Sequence, residues 1–301
     1  MVEMSVGKYS HLVKPVPLVS DPSPRILMGS KDLEGVNLNF GIGFPRKTGL
    51  LRGDTRAHQH PYDEILFFLG TDPDDIRYLG AEVAIGIGEE EHKITESSVV
   101  VIPRGLAHGP FNMLRIDTPF QMGHLLLASE YQAEHLSREL GTGSKYSHLV
   151  KPLRTLGIRH WSSDSAGHGP GSPDQVVYLN SKNLEGLSVT LTWGVYSKPG
   201  AWGKSNASNA LAAHMHTFDE ILVFVGLNPD DINYLGALVE VDVGEERERH
   251  FFDKPSVLIF PKGVPHTPLI NWWVEKPFGA FVIALHPEYI PTDRATTTII
   301  P

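Results

Sequence analysis

The feature that most constrains this chain is that it carries the same unit twice. The octapeptide KYSHLVKP stands at Lys8–Pro15 and returns at Lys145–Pro152. The match resumes with SKDLEG from Ser30 against SKNLEG from Ser181. It then runs through AHQHPYDEILFFLGTDPDDIRYLGA from Ala57 against AHMHTFDEILVFVGLNPDDINYLGA from Ala213. It closes with VVVIPRGLAHGP from Val99 against VLIFPKGVPHTP from Val257, and TPFQMGHLLLASEY from Thr118 against KPFGAFVIALHPEY from Lys276. Solenoid repeats have periods of about 20–50 residues, far shorter than this one, so each copy is expected to be a domain with its own core. The boundary falls at Gly141–Ser144, giving domains 1–143 and 144–301. The spacing between matched segments widens along the chain, which places insertions in the second copy at Trp161–Asp174 and Ala201–Ala210. Both are rich in small and polar residues and read as loops, the second directly ahead of a histidine pair.

Within each copy, 29 Gly and 23 Pro over the 301 residues punctuate short stretches of Val, Ile, Leu and Phe. That pattern predicts an all-β fold of short strands and turns, with a short helix over Ser129–Leu140, where helix formers end before Gly141. A formal net charge of −9 repels phosphate backbones and excludes nucleic acid as a partner. No apolar run reaches the ~20 residues of a membrane helix, and the first residues lack a secretory pattern, so the expected location is cytoplasmic. There is no Cys, while His number 15. Any metal must therefore be held by nitrogen and oxygen.

His58 and His60 alternate along a strand-like segment, so both rings face one side, and Glu64 follows four residues on. His108 comes after the turn Pro103-Arg104-Gly105. The second copy repeats the set as His214, His216, Glu220 and His266. Residues between the ligands differ (Gln59 against Met215, Tyr62 against Phe218) while the ligand types do not. Three imidazoles and a carboxylate suit Fe(II), Mn(II), Ni(II), Cu(II) or Zn(II) and leave positions open for water, dioxygen or substrate.

These motifs resemble those of the cupin superfamily, HxHxxxE followed by Gly and PxGxxH followed by Asn. Here they are His58, His60, Glu64, Gly70, Pro103, Gly105, His108 and Asn112, then His214, His216, Glu220, Gly226, Pro261, Gly263 and His266, with Asn271 one residue late. The resemblance covers both halves and implies a bicupin: two jelly-roll β-barrels, each with a metal inside.

Leu66 and Phe68 share parity with Glu64, as Leu222 and Phe224 do with Glu220, so the barrel interior beyond the metal is apolar and the substrate a small organic molecule. Asp63 and Asp219 point the other way. His92 and His250 follow acidic hairpin-like runs and read as solvated turns, and the DPDD segment from Asp72 reads as an acidic turn. Arg56 shares strand parity with His58 and is a candidate for meeting an anionic substrate, where the second copy has Ala212. His124, where the second copy has Val282, is a candidate acid or base of the first barrel. The favoured expectation is an Fe(II) dioxygenase. The alternatives are a non-oxidative decarboxylase, lyase or isomerase and a non-catalytic small-molecule-binding cupin. The repeated octapeptide is read as an arm, either linking the two barrels of one chain or docking on a second copy in a homodimer.

Overall fold

The computed structural model describes residues 7–20, 24–137, 139–154, 169–173, 175–202, 213–289 and 292–293. The insertion Trp161–Asp174 and most of Ala201–Ala210 lie outside the described residues, apart from 169–173 and 201–202. Nearly all regular structure is β-strand, and the helical elements among the described residues are four 3-10 turns of three residues. None is long and apolar enough to cross a membrane.

The chain divides into two compact units. One is Val16–Thr155 with Asn183–Leu187; the other is Met1–Pro15 with Leu156–Lys182 and Ser188–Pro301. In the first, the central strands of the larger sheet are Ser98–Ile102, Glu64–Gly70, Phe120–Leu126 and Asn39–Gly43, in that order. The second sheet is centred on Ala57–Gln59, His108–Ile116 and Ala81–Ile87. Leu66, Phe68, Val100 and Phe120 from one sheet pack with Val83, Ile85, Ile87 and Met113 from the other, so the core lies between them. The second unit repeats the arrangement with Ser256–Phe260, Glu220–Gly226, Phe278–Ala284 and Thr190–Tyr196 in one sheet, and Ala237–Val243, His266–Val274 and His214–Met215 in the other. Every residue of Glu64–Gly70 and Glu220–Gly226 is buried. That explains why these strands read as continuous apolar runs rather than as alternating ones.

The expected helix over Ser129–Leu140 does not form. Glu134–Leu136 is a strand paired antiparallel with Ala57–Gln59, and Gln59 Nε2 donates to Glu134 Oε2 at 2.7 Å. The free edge of the short ligand-bearing strand takes up these backbone groups, and that pairing outweighs helix propensity.

The octapeptide arms account for the crossing of unit and sequence order. Val13–Pro15 pairs with Ser256–Phe260, and Val150–Pro152 pairs with Ser98–Ile102. Each arm is therefore an edge strand of the barrel built mainly from the other repeat. The docking chemistry is the same twice. Glu90 accepts the backbone N–H groups of Lys145 and Tyr146, each at 3.2 Å, and Glu248 accepts that of Tyr9. Each arm tyrosine lies against a glycine in the left-handed region: a Cβ on Gly88 would fall 2.3 Å from the Tyr146 ring, and one on Gly244 would fall 2.0 Å from Tyr9. His92 and His250 belong to this junction and are not solvated. His92 is 9% exposed, and the two rings pair with Glu90 and Glu248 at 3.3 and 3.0 Å.

Candidate metal centres

Sheet register brings the ligands together. His58 lies opposite His108, and His214 opposite His266, across adjacent strands. Glu64 and Glu220 stand at the start of a neighbouring strand in the facing sheet. The turn before the last histidine is tied to the first two: Gly105 N–H donates to the His60 carbonyl at 2.7 Å and Gly263 N–H to that of His216 at 2.8 Å. Asp63 and Asp219 brace the same turns by accepting the backbone N–H of Arg104 and Lys262, both at 2.9 Å. Facing away from the ligands, these carboxylates thus still fix where His108 and His266 sit.

The result is two clusters with matching internal distances. In each, the four ligand atoms lie within 4.8 Å of one another. Nε2 of His108 and His60 stand 2.8 and 3.5 Å from Glu64 Oε2, and those of His266 and His216 stand 2.9 and 3.5 Å from Glu220 Oε2. The opposite ring nitrogens are committed elsewhere. His60 Nδ1 meets the Gln132 carbonyl, His108 Nδ1 the Leu106 carbonyl at 3.1 Å, His266 Nδ1 the Val264 carbonyl at 3.0 Å, and His214 Nδ1 the Thr267 hydroxyl at 3.2 Å. A carbonyl on Nδ1 fixes the proton there and leaves the Nε2 lone pair facing the cluster.

The electrostatics agree with this assignment. Burial, then the neighbouring His108 or His266, pushes His58 and His214 down to about 3, so both rings are neutral donors at ordinary pH. Burial alone would raise the Glu64 and Glu220 carboxyls, but the flanking imidazoles hold both well below the usual range. Imidazoles whose lone pairs turn inward and an ionised carboxylate, gathered at one buried point, fit a divalent transition metal.

The candidate residues around the ligands are placed as follows. Arg56 is exposed and engaged by Asp54 through two contacts at 3.0 and 3.1 Å. His124 pairs with Leu66 on one side and Gly41 on the other, on the inner face with Glu64. Its Nε2 is 3.3 Å from Asn39 Oδ1, and burial lowers its proton affinity against the pull of Glu64. A Cβ on Gly41 would come within 2.8 Å of this ring. The second barrel pairs Val282 with Thr192 at the same place.

Three contributors escaped the sequence reading. Tyr131 stands edge-on to His60 at 5.2 Å and tilted to His124 at 6.4 Å, and partial desolvation of its half-exposed ring and then Glu64 push its phenol up to about 12. Tyr289, its counterpart in the repeat, stands 4.9 Å from His216. Thr267 holds His214. The first two end the matched segments SEY and PEY, a signal the alignment of the two copies already contains.

No known family's sequence profile matches the chain. No curated protein matches it either. Solved structures do. An oxalate decarboxylase studied for its substrate binding mode and reaction specificity matches with a TM-score of 0.58 and 10% identity, over 93% of this chain and 77% of that one. The Bacillus subtilis oxalate decarboxylase at pH 4.6 matches with a TM-score of 0.58 and 10% identity, over 93% and 76%. A serine-to-alanine variant of that enzyme gives 0.59 and 10%, over 93% and 77%. At 10% identity the likeness is one of fold, two jelly-roll barrels in tandem, and in this chain each barrel carries a three-histidine, one-glutamate cluster.

Proposed function

We propose that the protein is a metal-dependent enzyme that cleaves a small carboxylate without net oxidation, a decarboxylase or lyase, at the cluster of the first barrel. The observation that carries this reading is His124, a neutral imidazole on the inner face beside Glu64 and Tyr131, at a position where the second barrel has only Val282. The shared fold with oxalate decarboxylase supports non-oxidative chemistry over the dioxygenase reading, which rests on the ligand set alone. Three imidazoles and a carboxylate accept Fe(II), Mn(II), Ni(II) or Zn(II), and the reading requires only that the ion be divalent.

His58, His60, Glu64 and His108 would hold the ion, which supplies a Lewis acid for the negative charge that develops as the bond to the carboxylate breaks. The chain's own residues do the rest. Arg52, at the turn Leu51–Gly53, adds positive potential at both His124 and Tyr131, the field an anionic substrate meets. Leu66, Phe111 and Met122 give the interior an apolar wall that excludes water. When carbon dioxide leaves, the electron pair remaining on the substrate carbon takes a proton. Tyr131, protonated at neutral pH, donates it, and His124 returns one from solvent.

The test is to load the protein with each divalent ion and supply oxalate, malonate and β-keto acids, recording carbon dioxide release and oxygen uptake together. Carbon dioxide without matching oxygen uptake, reduced about 10²-fold in His124→Phe, is the expected result. One oxygen consumed per substrate would return the assignment to a dioxygenase. Absence of turnover with every ion would leave a binding protein.

A further inference from the structure

The two barrels close their clusters differently, through equivalent residues. Tyr131 and Tyr289 both stand beside the second histidine of their set, but their hydroxyls do different things. Tyr131 is 52% exposed and its hydroxyl has no partner among the described residues. The chain beside it is drawn back by Gln132, whose N–H donates to Tyr62 Oη and whose carbonyl meets His60 Nδ1. The second barrel has Phe218 in place of Tyr62, stacked on His216 at 4.8 Å, and that anchor is gone. Tyr178 holds the segment instead: its Oη accepts the Tyr289 backbone N–H at 3.2 Å. With the chain fixed there, the Tyr289 hydroxyl lies 3.4 Å from His214 Nε2. Since Thr267 occupies His214 Nδ1, Nε2 is the nitrogen that faces the cluster. The phenol oxygen is thus at the ligand set, within hydrogen-bond distance of the nitrogen that faces the cluster.

The space behind the second cluster is filled as well. Trp202, 5% exposed, stacks on Tyr196 at 4.1 Å and donates its Nε1–H to Asn271 Oδ1 at 2.9 Å. Phe224 packs against Trp202 at 5.6 Å. Val282 stands where the first barrel has His124, so the second interior has aromatic filling and no imidazole at that place.

We propose that Tyr289 is a built-in further ligand of the second cluster, its phenol oxygen taking the position that an outside molecule takes in the first. The second centre is then structural and closed, and the first is the one open to substrate. The inference rests on both clusters binding metal, as the proposed function requires of the first.

The test uses full-length protein loaded with Co(II), whose visible bands report the ligands around it, and azide as the probe. His216→Ala leaves the first centre to be read, and His60→Ala leaves the second. Azide shifts the bands of the first centre. At the second it must displace the tyrosine, so about tenfold more azide or greater is expected for the same shift. Tyr289→Ala in the His60→Ala background removes that difference. Tyr289→Phe keeps the ring packing, removes only the oxygen, and changes the second centre's bands with no azide present. Equal azide sensitivity of the two centres, or cobalt bands indifferent to Tyr289→Phe, overturns the assignment of Tyr289 and leaves the proposed function standing. Failure of the second centre to take up cobalt also overturns it, and failure of both removes the metal reading underneath.

Discussion

His124 keeps its place because Gly41 has no side chain. A methyl group there would lie 2.8 Å from Cε1 and 3.0 Å from Nε2, closer than atoms pack, so the ring must move. Gly41→Ala is expected to lower kcat of the first centre while metal content, measured by elemental analysis, stays at the wild-type level; unchanged kcat would free His124 of its role. Thr267 poses the reverse problem. It is β-branched with φ of 82°, where its counterpart Gly109 sits at 80°, and its hydroxyl pays for the strain by fixing His214. Thr267→Gly should stabilise the metal-free fold by about 1 kcal/mol or more in denaturant unfolding while weakening metal binding at the second centre up to about tenfold. A loss of stability would contradict this account. The pH response also belongs at this scale. His58 and His214 refuse protons down to about 3, whereas an unfolded imidazole takes one near 6.5. Below that value the unfolded chain binds more protons, so metal-free protein loses stability as pH falls from 6.5 towards 3, with the raised proton affinity of His60 opposing part of the loss. Thermal melts that stay flat or rise on acidification would show the rings are not held neutral. The histidine pair was legible because a strand alternates faces, whereas Glu64 and Glu220, across a turn in the facing sheet, were legible only because both copies repeat them at the same spacing. Tyr131 and Tyr289 follow the strands, where parity no longer says which way a ring points.

Among the elements, the arm-and-hairpin junction does most to finish each barrel. A carboxylate that accepts two backbone N–H groups, together with a glycine that admits an aromatic ring, turns a short edge segment into a fixed strand. Glu90→Ala should speed hydrogen exchange at Lys145 and Tyr146 and in Val150–Pro152; exchange unchanged from wild type would mean the strand pairing alone holds the arm. The acidic run Gly88–His92 has the composition of a solvated turn, because composition records its charge and not its partner. The same limit produced the helix expected over Ser129–Leu140. Glu134 and Leu136 favour a helix in isolation, and only the unpaired edge of Ala57–Gln59, distant in sequence, makes them a strand.

Over the whole molecule, the repeat announced two barrels, but not which arm serves which. The two octapeptides are identical, and each hairpin offers a glutamate, a histidine and a left-handed glycine, so local sequence fits either pairing. Deleting residues 1–15 should therefore destabilise the barrel that carries His214 and His266, by exposing the edge of Ser256–Phe260, and leave the other barrel's own arm in place. Faster hydrogen exchange confined to the barrel of the first repeat would contradict that exchange of arms. The central claim, that both barrels hold a metal through their own quartets, is tested most directly by elemental analysis of the full-length chain beside His60→Ala, His216→Ala and the double variant. The account predicts two divalent ions per chain in the parent, one in each single variant and none in the double. Metal content indifferent to these substitutions, or no stoichiometric metal after reconstitution of the folded parent, would contradict it.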